Sequence, residues 1–344
     1  MVAGRLDEEE PPVRRPRRTS RLRLVLLGLA VLLLFPPIGL VVGAASYVAA
    51  VPAPTASVPP PVGDSHEVRT GDLVTRYRRW GRQGPALILI PGFVESSFVW
   101  RRVGPLLGRS FRVYAPDVRG FGYTTHRGPY TLAADTAQVT AFLRVLHLSS
   151  GGTAPVLVGH SSGAAIAANL ALQHPGLVGG VVMLDGDGTS SGAGPGWLHA
   201  LIVDPLFTAA YRYTLRHPSI IRDVWNRVCG PNCPPFAGSE MEGWVRPLEV
   251  PGAVSALRAI VRAPLIGLRE ASLRRLTVPA AVMLGAGDPT ITLARARTLA
   301  RWVHARMVVT VPRTRHLPMV SRPVVFTRDL RAVARHLMER RPAL

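Results

Sequence analysis

From residue 64 onward the apolar positions follow two patterns. Residues 66–80 alternate apolar and polar about Thr70-Gly71-Asp72, which predicts an antiparallel hairpin. Ala86–Ile90 (ALILI) is instead a continuous apolar run, suited to a strand buried on both faces. Runs at Phe111–Ala115, Val156–Val158, Gly180–Leu184, Ala280–Leu284 and Met307–Val311 predict further strands. Helix-like stretches lie between several of them, at Val99–Leu107, Leu132–Leu146, Ala164–His174 and Leu293–Val303. Strand and helix alternate, which predicts an α/β fold: a mostly parallel sheet, right-handed crossovers and helices on both faces. The alternation pauses from about Gly186 to Arg275, a stretch richer in aromatics and proline, which reads as one insertion between two strands. There is no internal repeat.

A different pattern precedes this region. Leu24 to Val51 is apolar, and no charge falls between Arg23 and Asp64. As a helix this span would reach ~42 Å against a hydrocarbon core of ~30 Å. Six arginines between Arg14 and Arg23 precede it, and nothing basic comes after it until Arg69. The positive-inside rule therefore keeps residues 1–23 in the cytoplasm as a basic tail and exports the chain beyond the span. Pro36-Pro37 interrupts the run, so two readings stand: an uncleaved single-pass signal anchor over 24–51, and a signal peptide whose removal secretes the rest. Residues 52–63 (PAPTASVPPPVG) read as a stiff, partly polyproline linker.

Composition narrows the function classes. The 344 residues are 47% hydrophobic and 18% charged, which excludes a disordered tail protein and allows a full core. The net charge is +20, carried entirely by arginine, since the chain has no lysine. The arginines are scattered and not interleaved with aromatics in a nucleic-acid module, so no nucleic-acid partner is expected. Cys229 and Cys233 stand in Cys-Gly-Pro-Asn-Cys without a histidine pair at ligand spacing. That argues against zinc and for a local disulfide in an oxidising compartment.

The densest chemical signal is Val156-Leu-Val-Gly-His-Ser-Ser-Gly-Ala-Ala. A buried strand runs into Gly159-His160-Ser161-Ser162-Gly163 and then into a small-residue helix, the context of a strained nucleophile turn presenting Ser161. A serine hydroxyl needs a base, and the base an orienting acid. Of ten histidines, His316 is the candidate base, because it lies in a loop after a predicted strand late in the chain. Asp288, at the end of VMLGAGDPT, is the preferred acid, and Asp185, at the end of VVMLD, is the alternate. All come directly after strands, so all gather at the C-terminal edge of a parallel sheet. Two N–H donors for a developing oxyanion would come from Ser162 and from Phe93 in Ile90-Pro91-Gly92-Phe93.

These pieces resemble the α/β-hydrolase superfamily over about residues 66–340. The matching segments are PGFVESSFVW (91–100), DVRGFGYT (117–124), GHSSG (159–163), LTVPAAVMLGAGD (276–288) and RHLPM with RPVVFTRDL (315–330). The resemblance implies an eight-stranded, mostly parallel sheet formed by 64–185 and 276–344. It also implies a helical cap over 186–275 and a Ser161–His316–Asp288 triad. Where the family often has His-Gly, Pro91-Gly92 stands; where Met-Gly-Gly usually comes after the elbow, this chain departs. Serine rather than aspartate at 161 argues against epoxide-hydrolase and haloalkane-dehalogenase chemistry. In the cap, Trp197, Phe207, Tyr211, Tyr213, Trp225, Phe236 and Trp244 are candidates for an apolar pocket lining, most of them expected to form the cap's own core.

The expectation is thus a membrane-anchored, exported serine hydrolase. It acts on small or lipidic esters or related acyl compounds through an acyl-enzyme, with no metal or organic cofactor implied. Alternatives on the same triad are a cofactor-free perhydrolase, a C–C hydrolase or a lyase. A non-catalytic binding module is a third reading.

Overall fold

Eight strands form one sheet in the order β1-β2-β4-β3-β5-β6-β7-β8 in the computed structural model of the chain. The structure describes residues 37–149, 154–189, 202–262 and 267–339. The predicted basic tail, the first half of the apolar span (24–36) and Trp197 lie outside these residues. The hairpin is β1 (Ser65–Thr70) and β2 (Leu73–Trp80), paired antiparallel through Thr70 opposite Leu73. β2 then pairs antiparallel with β4 (Arg112–Pro116). Every remaining pairing is parallel: β3 (Ala86–Ile90), β5 (Val156–His160), β6 (Gly180–Leu184), β7 (Ala280–Gly285) and β8 (Val308–Val311).

The continuous apolar runs are explained by burial on both faces. Along β3, Ile88 and Ile90 pack into one core while Leu87 and Leu89 pack into the other. The first core is closed by helices α2 (Leu132–Val145) and α3 (Gly163–Gln173), together with α8 (Leu293–Trp302). The second is closed by α9 (Pro323–Glu339), whose Phe326, Leu330, Val333 and Leu337 recur at helical spacing and are fully buried. The predicted single helix over 99–107 is instead two short turns, Ser97–Trp100 and Gly104–Leu107. Pro105 has no N–H to give the carbonyl four residues back, so the first turn stops and a second starts.

Between β6 and β7 the insertion carries helices α4 (Leu206–Arg216), α5 (Pro218–Cys229), α6 (Gly238–Val245) and α7 (Ala253–Arg262). Trp225 and Phe236 are buried, with ring centroids 5.2 Å apart, and Trp225 lies 5.2 Å from Trp244. Trp225 and Phe236 belong to the second core of the sheet, with Trp244 packed against it. Phe207 stacks on Tyr211 at 6.4 Å, whereas Tyr213 is exposed. Cys229 and Cys233 form a disulfide with Cα atoms 5.9 Å apart.

Before the sheet, residues 37–50 form a helix, α1, with Ile38, Leu40, Val41 and Val42 exposed. Among the described residues no helix is long and apolar enough to cross a membrane. The end of α1 docks on the cap: Arg212 donates to the carbonyls of Val48 and Val51, and Tyr47 lies 6.4 Å from Tyr213.

Candidate active site

Five parallel strands end at one edge of the sheet, and each delivers a residue singled out from the sequence. β5 delivers Ser161, which has φ of 51°, a left-handed conformation that costs a non-glycine residue about 1–3 kcal/mol. Its N–H donates to the Leu184 carbonyl at 2.8 Å, which pins the turn to β6. The flanking glycines are steric necessities. A Cβ on Gly159 would stand 2.2 Å from the Gly163 carbonyl, and one on Gly92 2.9 Å from Cβ of Ser161. Helix α3 starts two residues after the serine and presents its N-terminal dipole there.

β7 and β8 bring Asp288 and His316 together. His316 Nδ1 donates to Asp288 Oδ2 at 2.9 Å, and Asp288 Oδ1 accepts from the Thr290 N–H (2.6 Å) and hydroxyl (2.8 Å). Burial alone would raise the Asp288 pKa, but the bond and charge of His316, with the Thr290 N–H, outweigh it and hold the carboxyl well below the usual range. The alternate acid, Asp185, does not bond the His316 ring. It is buried at the end of β6 with φ of 49°, and its Oδ1 accepts from Gly285 N–H at 2.7 Å. Its other oxygen, Oδ2, is buried and accepts from no donor. Burial, reinforced by the neighbouring Asp288, pushes its pKa well up. Asp185 therefore stands behind Asp288 as the carboxyl that burial disfavours in its charged form.

Asp185, Asp288 and His316 offer one ligand atom each within 4.8 Å of one another, the spacing a metal ion could use. Of these atoms, His316 Nδ1 already donates to Asp288 Oδ2.

The Ser161 hydroxyl has no hydrogen bond among the described residues, so its contact with His316 is not made in this state. The two residues are nonetheless neighbours. His160, beside the serine, donates from Nε2 to the His316 carbonyl at 2.8 Å, and the two rings lie 4.8 Å apart. Because Nε2 must be a donor, the other nitrogen decides the charge. Nδ1 meets Glu95 Oε2 at 2.8 Å, and that same oxygen accepts the Gly92 N–H at 2.6 Å. Burial disfavours charge on both partners, yet their mutual attraction prevails: the His160 pKa is raised and that of Glu95 lowered. A buried ion pair thus ties the 92–95 loop, the serine turn and the His316 loop together.

The N–H groups of Phe93 and Ser162 donate to nothing among the described residues, and both residues line one cavity with Gly92. The cap completes the surround. The His316 N–H bonds the Val228 carbonyl at 2.9 Å, and Asn232, inside the disulfide loop, bonds the Arg313 carbonyl at 2.8 Å.

Residues 87–329 match the alpha/beta hydrolase family. The chain belongs to it. This alpha/beta hydrolase is 25% identical over 257 residues to an uncharacterized hydrolase, YugF, of Bacillus subtilis, covering 74% of this chain and 90% of YugF. It is 35% identical over 109 residues to lipase LipV of Mycobacterium tuberculosis, covering 31% of this chain and 40% of the lipase. Among solved structures, a membrane phospholipase A described as a bacterial virulence factor superposes with a TM-score of 0.64 at 21% identity, covering 93% of this chain and 97% of that one. That likeness concerns the fold.

The Glu95–His160 pair escaped the sequence reading although both residues lie in segments that carry the family resemblance. Its only signal was a histidine beside the serine and a glutamate after Pro-Gly-Phe-Val, 65 residues apart.

Proposed function

We propose that this hydrolase cleaves acyl compounds, esters first among them, through an acyl-enzyme on Ser161. His316 Nε2 takes the serine proton as Oγ attacks the carbonyl carbon. Asp288, bonded at Nδ1, fixes the tautomer and stabilises the imidazolium. The tetrahedral oxyanion is received by the N–H groups of Phe93 and Ser162, which no other group occupies. Collapse breaks the bond to the leaving alcohol, which takes the proton from His316; water activated by the same imidazole then releases the acid. The observation that carries this reading is the left-handed Ser161 beside a ring bonded to the His316 backbone. Rotation of the serine side chain closes the remaining hydrogen bond when substrate arrives, since such bonds often tighten only in the complex. The identity to a lipase over about a third of the chain supports acyl ester chemistry. The test is a panel of esters, amides and lactones of graded acyl length on the full chain, with Ser161→Ala as blank. Serine-dependent turnover, fastest on esters, is expected; turnover that survives in Ser161→Ala contradicts the reading.

We further propose that residues 24–51 anchor the enzyme to the membrane with the catalytic domain outside the cytoplasm. The charge-free span, the arginines before it and the exposed apolar side chains of α1 support this. Protease added to intact cells should remove the catalytic domain and leave residues 1–23 protected; full protection of the domain contradicts it.

A further inference from the structure

An open groove of about 410 Å³ runs between α1 and α4, walled by Leu40, Gly43 and Tyr47 on one side and by Leu206, Ala210 and Tyr213 on the other. No charged side chain lines it among the described residues. The other side of α4 is the one turned inward, where Tyr211 is buried and donates to the Leu248 carbonyl. α1 itself carries no charged residue and is apolar around its whole circumference, the pattern of a helix enclosed by apolar material. The protein does not enclose it: Leu40 is 58% and Val42 59% exposed, with Ile38 and Val41 exposed beside them. The chain that leads into α1 is apolar as well, since Leu24–Phe35 hold no charge and join it through Pro36-Pro37. Beyond the groove the surface turns basic. α4 and α5 carry Arg212, Arg216, Arg222 and Arg227 against a single acid, Asp223, and Arg216 and Arg222 are exposed.

We propose that α1, α4 and the groove between them form a membrane-docking surface of the folded domain. Acyl chains of the extracytoplasmic leaflet fill the groove and cover the exposed side of α1, while Arg216 and Arg222 meet headgroup phosphates. The inference rests on the anchor reading and deepens it, because a tether alone would leave Ile38, Val41 and Val42 in water, whereas docking lays the domain on the bilayer. Tyr47 and Tyr213, 6.4 Å apart, stand where α1 gives way to the linker, as an aromatic pair with rings in the apolar layer and hydroxyls at the headgroups. The surface is also close to the chemistry. α4 packs against α7, Arg258 of α7 pairs with Asp204 just before α4, and Ile260 of α7 lines the cavity that holds Phe93 and Ser162. The lipid-facing helix is thus neighbour to a helix that lines the catalytic cavity.

The experiment reconstitutes the full chain in vesicles of phosphatidylcholine and phosphatidylglycerol. A solvent-sensitive nitrobenzoxadiazole probe is attached in one sample to Ala210→Cys, in the groove, and in another to Ala294→Cys, exposed on α8 and no part of the groove. The native cysteines are held in their disulfide and leave only the added thiol to label. The probe replacing Ala210 should shift its emission to the blue and be quenched several-fold by brominated acyl chains. Bromines near the headgroup should quench more than bromines at the chain ends, since an interfacial helix sinks only ~5–10 Å. The probe replacing Ala294 should stay in water and unquenched. A groove probe that stays in water overturns the docking, as does one shielded without quenching, which would mean that a second copy of the chain covers the groove. Equal quenching at both positions overturns it too. Flotation of the vesicles separates the two readings. A chain that floats but fails the quenching test keeps the anchor and loses the docking surface; a chain that does not float loses both.

Discussion

The buried carboxyl of Asp185 lies against that of Asp288, and of the two only Asp288 reaches the His316 ring. Two acids at adjacent strand ends therefore have different tasks. Asp288 faces the His316 ring as a carboxylate, whereas Asp185 stands behind it with its pKa pushed well up by burial. Asp288→Asn should cut kcat by about 10³- to 10⁴-fold, because the amide cannot stabilise the imidazolium. Asp185→Asn keeps the acceptor for the Gly285 N–H and tolerates the left-handed backbone, so kcat should fall only a few-fold. Steady-state kinetics of the two variants decide it, and the reverse order would exchange their roles.

Glu95 and His160 predict a pH dependence. A carboxyl lowered on folding contributes stability above its unfolded pKa and loses it as pH falls through the lowered value. A histidine raised on folding contributes below its unfolded pKa and loses it as pH rises through the raised value. The pair therefore stabilises a mid-range plateau. Glu95→Gln leaves a buried imidazole without its counter-ion and should cost about 3–5 kcal/mol there. The loss in denaturant midpoint should shrink above the raised His160 value; a loss that stays constant to alkaline pH speaks against an ion pair.

Asp135 acts with the opposite sign. Its carboxyl, raised to about 7 by burial, binds a proton in the folded state that the unfolded chain has already released. Stability should therefore decline as pH rises from about 4 to 7, by a few kcal/mol at most. Asp135→Leu should remove this slope and raise the melting temperature most at and above neutral pH. A parallel pair of melting curves across that range would refute the buried, unpartnered carboxyl.

The insertion between β6 and β7 grips the loop that carries His316. His316 N–H is bonded to Val228, next to Cys229, and Asn232 within the disulfide loop grips Arg313. Replacing both cysteines by serine should lower kcat several-fold with little change in KM, since a sub-ångström shift of the base is felt in the chemical step. Unaltered kcat in a folded double variant would show that the base loop is held without the bridge.

Much of this architecture was legible in the chain. Apolar runs such as ALILI marked strands buried on both faces, and Gly-x-Ser-x-Gly between a strand and a helix marked the turn. Residues 99–107 are periodic enough for one helix, but Pro105, a local breaker, divides them. Local pattern also failed where long-range contacts decide. Asp185 and Asp288 are equivalent as strand-end acids in sequence; only the register of β6, β7 and β8 gives the histidine to one of them. Asp135 lies in an ordinary amphipathic helix, and its apolar surroundings come from Phe121 and Ile166 elsewhere in the chain. Trp225 turned inward because it packs into the same core as Trp100 and Phe326, far away in the chain.

The central claim is that Ser161 is a nucleophile activated by His316. Labelling with a fluorophosphonate, followed by peptide mass spectrometry, reads it directly. The adduct should sit on the peptide containing Ser161, and labelling should slow by orders of magnitude in His316→Ala while the fold persists by circular dichroism. Rapid labelling of another residue, or labelling of Ser161 that is indifferent to loss of the imidazole, would contradict it.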